Sequence, residues 1–191
     1  YVTRSKGYFL SQRRATKSAI EQAVLSIPSI VKCNVFENLD TLGRPIGYVQ
    51  VVVADSYTEQ FVTASTLPAS YAAQRANLST HIESVLEDWR AAGVGIQIVF
   101  GTVVLQSIQI ALSYLSGVDQ EAVKTVVLAR IIQHVNSLRP GETLAIAKLR
   151  DLIQTTSGVY YTANEIVSPL GDVVPRPGEV LRTSTTFTRV S

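Results

Sequence analysis

The stretch VLARIIQHVNSLRPGETLAIAKLRDLIQTTSGVYY (Val127–Tyr161) holds two helical hydrophobic periods on either side of a sharp break. The first begins upstream at about Gln120, where Val123, Val127, Ile131, Val135 and Leu138 recur at three- and four-residue spacing and define one buried face. Asp119 stands where it can cap that helix, and Pro140 with Gly141 stops it. A shorter helix carries Ile146, Leu149 and Ile153 and ends at Ser157 and Gly158. Beyond it, Val159 to Val167 and Val180 to Val190 read as two strands joined by a turn rich in proline and glycine. Before it, Val103 to about Leu112 reads as a strand alternating through Val104, Ile108, Ile110 and Leu112, with Ser116 and Gly117 as its turn. Helices following strands at this spacing predict a small α/β module spanning residues 102–191.

The first half of the chain repeats that order. Ala19, Ile20, Ala23, Val24 and Ile27 predict a helix from about Ala15, with Ser18 and Glu21 at capping-box spacing and Pro28 as its end. Ile30 to Phe36 then alternates through Val31, Cys33 and Val35, which predicts those side chains on one face of a strand. A turn with Gly43, Pro45 and Gly47 leads into Tyr48 to Ala54, so continuously apolar that both faces of the strand should be covered. Past Pro68, Leu78, Ile82, Val85, Leu86 and Trp89 form a narrow helical stripe ending near Gly93, and that stripe must lie on a sheet. Gly95 to Phe100 completes the unit as a strand with Ile96, Ile98 and Phe100 on one side. Gly101 and Thr102 form the module junction, giving a first module over residues 1–101 and a second over 102–191. LSIPSIVKC (Leu25–Cys33) and IQTTSGVYY (Ile153–Tyr161) fall at equivalent points of the two copies. The fold class predicted is α/β (α+β): two consecutive small sandwich modules, each a mixed or antiparallel sheet covered by two helices.

Composition narrows the function. Hydrophobic residues make up 46% of the 191 and charged residues 17%, too much apolar material and too little charge for a disordered chain. A formal net charge of +2 is too small to predict binding driven by counterion release from nucleic acid. No run reaches the roughly 18 consecutive apolar residues of a membrane span. The single cysteine, Cys33, has no internal disulfide partner and sits where a buried, inert thiol is expected. The chain contains no methionine and opens at Tyr1, which reads as a piece of a longer product.

Residues suited to chemistry are present but scattered. Nucleophilic catalysis by Ser or Cys needs a base within hydrogen-bond reach, and the two histidines, His81 and His134, each fall mid-helix beside an apolar face. A zinc site needs clustered Cys and His, which the sequence lacks. Glu83, Glu87 and Asp88 are the obvious carboxylate cluster, and they map to the outward side of their helix, where nothing would separate their pKa values. No glycine spacing builds a phosphate cradle at a strand-to-helix junction. Arg4, Lys6, Arg13 and Arg14, interleaved with Tyr1, Tyr8 and Phe9, read either as a phosphate-gripping arm with stacking aromatics or as a linker to an upstream neighbour. Thr183, Thr185 and Thr186 suggest C-terminal strands with few charges guarding their edges, open either to a partner strand or to solvent. The sequence therefore predicts no catalytic, cofactor-binding or metal-binding residue, no cofactor, and no small-molecule, membrane or nucleic-acid partner.

The chain resembles the baseplate J-like family, wedge components of contractile phage tails and tail-derived particles. The resemblance is carried by TKSAIEQAVLSIPSI (Thr16–Ile30) running into VKCNVFEN, by GYVQVVVAD (Gly47–Asp55), by Val127–Tyr161, and by the closing SPLGDVVPRPGEVLRTSTTFTRV. Relatives commonly carry a proline where Thr102 stands. The resemblance implies the two C-terminal modules of a longer, non-enzymatic protein located in the virion tail baseplate and assembled in the host cytoplasm. Its implied partners are further copies of itself and other baseplate wedge subunits, with the sheath linked through them to peripheral parts. It brings no catalytic residues.

Overall fold

The computed structural model describes residues 16–39, 45–60, 68–89, 94–160 and 165–191. The chain divides into two compact units, Tyr1–Thr102 and Val103–Ser191. Both mix helices with small sheets, the α/β class expected.

In the first unit, helix α1 (Lys17–Leu25) is followed by strands β1 (Ile30–Leu39) and β2 (Pro45–Asp55), a short helix α2 (Ser56–Glu59), a long helix α3 (Ala69–Glu87) and strand β3 (Gly95–Phe100). The sheet order is β1-β2-β3, with β1 antiparallel and β3 parallel to the central β2. Cys33 and Val35 of β1 and Val51 and Val53 of β2 enter one core with Ile20 and Val24 of α1 and Ile82 and Leu86 of α3. Ile96, Ile98 and Phe100 of β3 pack against it from the same side, as the alternation required. Residues Val51 to Ala54 are all fully buried, so the central strand is covered on both faces.

Two local expectations are corrected here. Thr16, not Ser18, caps α1, its hydroxyl accepting from the Ala19 N–H at 3.2 Å. Val31 is half exposed, not on the core face, because the β1–β2 register slips between Ile30 and Lys32 and a bulge there inverts the alternation. Gly43 and the helix stop at Gly93 lie outside the described residues, whereas Pro45 and Gly47, expected in the same turn, already belong to β2, Gly47 with a φ of +79°.

The second unit contains β4 (Thr102–Leu105), β5 (Ile108–Ala111), α4 (Gln120–Ser137), α5 (Ile146–Gln154), β6 (Glu165–Ser168), β7 (Glu179–Arg182) and β8 (Thr188–Val190). Asp119 caps α4 as expected, accepting from the N–H groups of Glu121 and Ala122. Val123, Val127, Ile131, Val135 and Leu138 are all buried, and with Ile146, Leu149 and Ile153 of α5 they form the core against β5, β6 and β7. Here the sequence expectation was too simple. The run Val103–Leu112 is two strands, and so is Val180–Val190: β4 pairs with β7 in one sheet, while β5 pairs with β8 and β6 in another. Both runs change sheet at the same level, around Gln106 and Ser107 on one side and Thr183 to Phe187 on the other.

The two connections differ in length, 106–107 against 183–187, and side chains hold the break. Thr183 is fully buried, its hydroxyl donating to the Gln106 carbonyl at 2.9 Å and lying 2.9 Å from the Thr188 hydroxyl. Asn136 of α4 clasps the Thr183 backbone, accepting from its N–H at 2.9 Å and donating to its carbonyl at 3.1 Å. The surplus residues fold into a turn in which Phe187 and Thr188 both donate to the Ser184 carbonyl. The remaining predicted strand, Val159–Val167, contributes a single bridge, Val159 to Tyr114, and then β6.

The turns that follow α1 and α5 share one hydrogen-bond pattern. Ser26 N–H to Gln22, Ile27 to Val24 and Ile30 to Ile27 are matched by Thr155 to Asp151, Thr156 to Ile153 and Val159 to Thr156. Val24 thus corresponds to Ile153, one residue out of step with the two nonapeptides aligned above. The sheets that follow these turns differ.

Candidate protein interface

Within neither unit are the described residues singled out for chemistry brought together. His81 is exposed on α3 in the first unit, whereas His134 is half-buried on α4 in the second. Burial, aided by the Lys148 charge and opposed by Glu142, holds the His134 imidazole below its ordinary pKa. Ser137 Oγ donates to the His134 backbone carbonyl, which is no catalytic pairing. Glu83, Glu87 and Asp88 are all exposed. Among the described residues no group of three His, Cys, Asp or Glu side chains is placed to hold a metal, and no helix is long and apolar enough to cross a membrane. Cys33 is buried. Arg4, Lys6, Arg13 and Arg14, with Tyr1, Tyr8 and Phe9, lie outside the described residues.

One buried charged cluster escaped the sequence reading. Asp55, at the end of β2, is 3% exposed and receives Arg75 of α3 in a forked ion pair, Nε to Oδ2 at 2.6 Å and Nη2 to Oδ1 at 2.8 Å. The Thr58 N–H and hydroxyl also donate to Oδ1, both at 2.9 Å, which makes Asp55 the cap of α2. The guanidinium lies 5.0 Å from the Phe100 ring centre. Burial pushes the Asp55 carboxyl up, but the Arg75 and Thr58 hydrogen bonds and the Arg75 charge outweigh it and hold the group below the ordinary carboxylate range. The small adjoining cavity, about 120 Å3, is floored by this pair and by Ser56, whose hydroxyl lies 2.9 Å from the Tyr71 hydroxyl. An ionised carboxylate already accepting from four donors is neither a proton source nor a free base at neutral pH. The cluster is a clamp that ties α2 and α3 to the end of the central strand. Its signal in the sequence was Asp55 closing an apolar strand, with Arg75 the only Arg or Lys in the later helix.

The surface of the second unit offers more. Leu170 is 89% and Val174 is 74% exposed, the most exposed large apolar side chains among the described residues. Their loop is fixed at several points. Asp172 Oδ1 accepts from the Ile146 N–H at 2.8 Å, so it caps α5 from a distant part of the chain. Val173 and Leu144 exchange backbone hydrogen bonds in both directions at 3.0 Å. Two exposed apolar side chains thus stand on a loop anchored by hydrogen bonds to α5 and to Leu144.

A second feature is the free margin of β8, an outer strand of the order β6-β5-β8. Thr185 and Thr186, expected on a strand edge, sit instead in the exposed turn before it, and Thr183 is buried. The edge proper is Thr188–Val190. Beside it runs a groove of about 500 Å3 whose other wall is the Glu121, Lys124, Thr125 and Leu128 face of α4.

The architecture defines a protein of two α/β units without an assembled catalytic centre among the described residues. Residues 106–186, within the second unit, match the model of the baseplate J-like protein C-terminal domain, the family whose resemblance was read from the sequence. No curated protein matches the chain. Among solved structures the chain is similar in fold to a chain of the anti-feeding prophage baseplate, determined by cryo-electron microscopy and six-fold symmetrised. The TM-score is 0.54 at 14% identity, over 96% of this chain and 40% of that one. The present chain thus spans less than half the length of that neighbour.

Proposed function

We propose that this chain is a structural component of a phage-type contractile tail baseplate, a wedge element that works through protein interfaces and catalyses no reaction. The match of residues 106–186 to the baseplate J-like C-terminal domain carries the reading. The fold likeness across 96% of the chain to a baseplate protein supports extending it to both units. The surface chemistry agrees. Leu170 and Val174 stand exposed on an anchored loop, which suits contact with another protein. In this reading the chain joins further copies of itself and neighbouring wedge subunits in the tail of the particle, after assembly in the host cytoplasm.

Cryo-electron microscopy of purified tail particles tests the proposal. The expected result is density for both units in the baseplate ring, with the Leu170 and Val174 loop against a neighbouring subunit. A complete baseplate with no density for this chain would end it.

A further inference from the structure

We infer that the free edge of β8 accepts an extended, acidic segment of another protein chain as an added strand. This names the kind of partner for the interface proposed above and rests on that reading only for its biological setting.

The ladder decides which backbone groups of β8 face outward. Ile108 N–H donates to the Phe187 carbonyl at 2.9 Å, Ser191 N–H to the Ile110 carbonyl at 3.0 Å, and Leu112 N–H to the Ser191 carbonyl at 2.8 Å. The inward-facing backbone groups of this strand therefore belong to Phe187, Arg189 and Ser191, in the parallel register that sets Arg189 beside Gln109. Alternation turns the N–H and C=O of Val190 the other way, off the sheet. They form a donor and acceptor pair spaced to bond one residue of an incoming antiparallel strand. The adjoining groove of about 500 Å3 leaves room for that strand against Leu128 and Thr125 of α4.

Charge selects the occupant. Glu121 and Lys124, both lining the groove, are bonded to each other at 2.8 Å. Arg189 is exposed and makes no ion pair with a side chain among the described residues. In an antiparallel pairing, the residue following the one opposite Val190 stands directly across from Arg189 on the same face. A carboxylate there meets the guanidinium. A second copy of β8 would offer Ser191 at that position and set two Arg189 side chains on one diagonal of the same face, where like charges oppose pairing.

The test uses the 191-residue chain, labelled for NMR, and a synthetic acetylated and amidated peptide, Gly-Thr-Thr-Val-Glu-Val-Thr-Gly. Binding is expected to shift the Val190 amide and slow its hydrogen exchange. Replacing the peptide's Glu by Lys should weaken binding about tenfold or more, as loss of a charge-complementary pair does. Val190→Pro removes the outward N–H while leaving the bonds of Arg189 and Ser191 to β5, and should weaken binding to a similar extent, whereas Val126→Ala, exposed on α4 and outside the groove lining, should bind as the parent does. Arg189→Glu should reverse the preference and favour the Lys peptide, a gain that misfolding cannot produce.

A Val190 amide that stays unmoved at millimolar peptide would overturn the inference, as would binding indifferent to both Val190→Pro and the charge swap. So would shifts that follow protein concentration without peptide, which mark self-pairing. Each of these outcomes leaves intact the question of whether the chain lies in a baseplate, which imaging of particles answers separately.

Discussion

Gly158 and Gly117 share a backbone conformation, with φ of +92° and +83°, but not a neighbourhood. A Cβ at Gly158 would lie 2.7 Å from a methyl of Val123, a core residue of α4, whereas at Gly117 it would meet nothing within 4 Å. Gly117→Ala should therefore destabilise by about 1 kcal/mol, from backbone strain alone, and Gly158→Ala by about 2–3 kcal/mol once steric conflict is added. Denaturant unfolding of the two variants checks the ordering. The Asp55 clamp makes a different statement at this scale. Its carboxyl is held below its ordinary pKa, so the stability it confers is complete above the unfolded-state value and is lost as pH falls through the lower folded-state value. Asp55→Asn, which leaves the mostly buried Arg75 without its counter-charge, is expected to cost about 3 kcal/mol at neutral pH. It should also flatten the decline of unfolding free energy with acidification, which titration of stability against pH measures.

At the scale of elements, the clearest outcome concerns Asn136. Asn136→Ala would strip both backbone groups of Thr183 of their helix-borne partner at a buried strand break, at a cost of about 2 kcal/mol. An exposed alanine substitution on the same helix, Val126→Ala, should change stability by less than about 0.5 kcal/mol, and thermal or chemical melts of the pair provide the check. The helices were legible in the sequence because each carries its own period: the stripe from Val123 to Leu138 and the trio Ile146, Leu149 and Ile153 are buried as read. Strand faces in the first unit were equally legible, apart from Val31, where a bulge breaks an alternation that no single residue announces. What the sequence could not disclose was long-range. A strand that switches sheets at Gln106 keeps the apolar alternation of an unbroken one, and only the fold shows Thr183 and Asn136 holding the switch in place. Asp55 and Arg75 are a similar case, joined by a tertiary contact between a strand end and a helix that no local period records. The candidate interface was half visible: the lightly guarded C-terminal edge was foreseen, but it belongs to Val190 and Arg189, not to the preceding threonines.

For the molecule as a whole, the two hydrophobic clusters share no residue, one drawing on Ile20 to Phe100 and the other on Val104 to Val190. We propose on that basis that the modules 1–101 and 102–191 fold separately. A fragment covering 103–191 is expected to unfold cooperatively by itself, with circular dichroism and near-ultraviolet signals lost in one transition, as domains of this size do. A fragment that stays molten would refute the separation. The sheet switch in that second unit has a mechanical consequence. Because β5 and β8 run parallel, tension drawn along the axis of β8 against the start of β5 would slide the two strands past one another. Their hydrogen bonds would then be loaded side by side and must fail together, so the seam resists traction far better than a hairpin peeled open from one end.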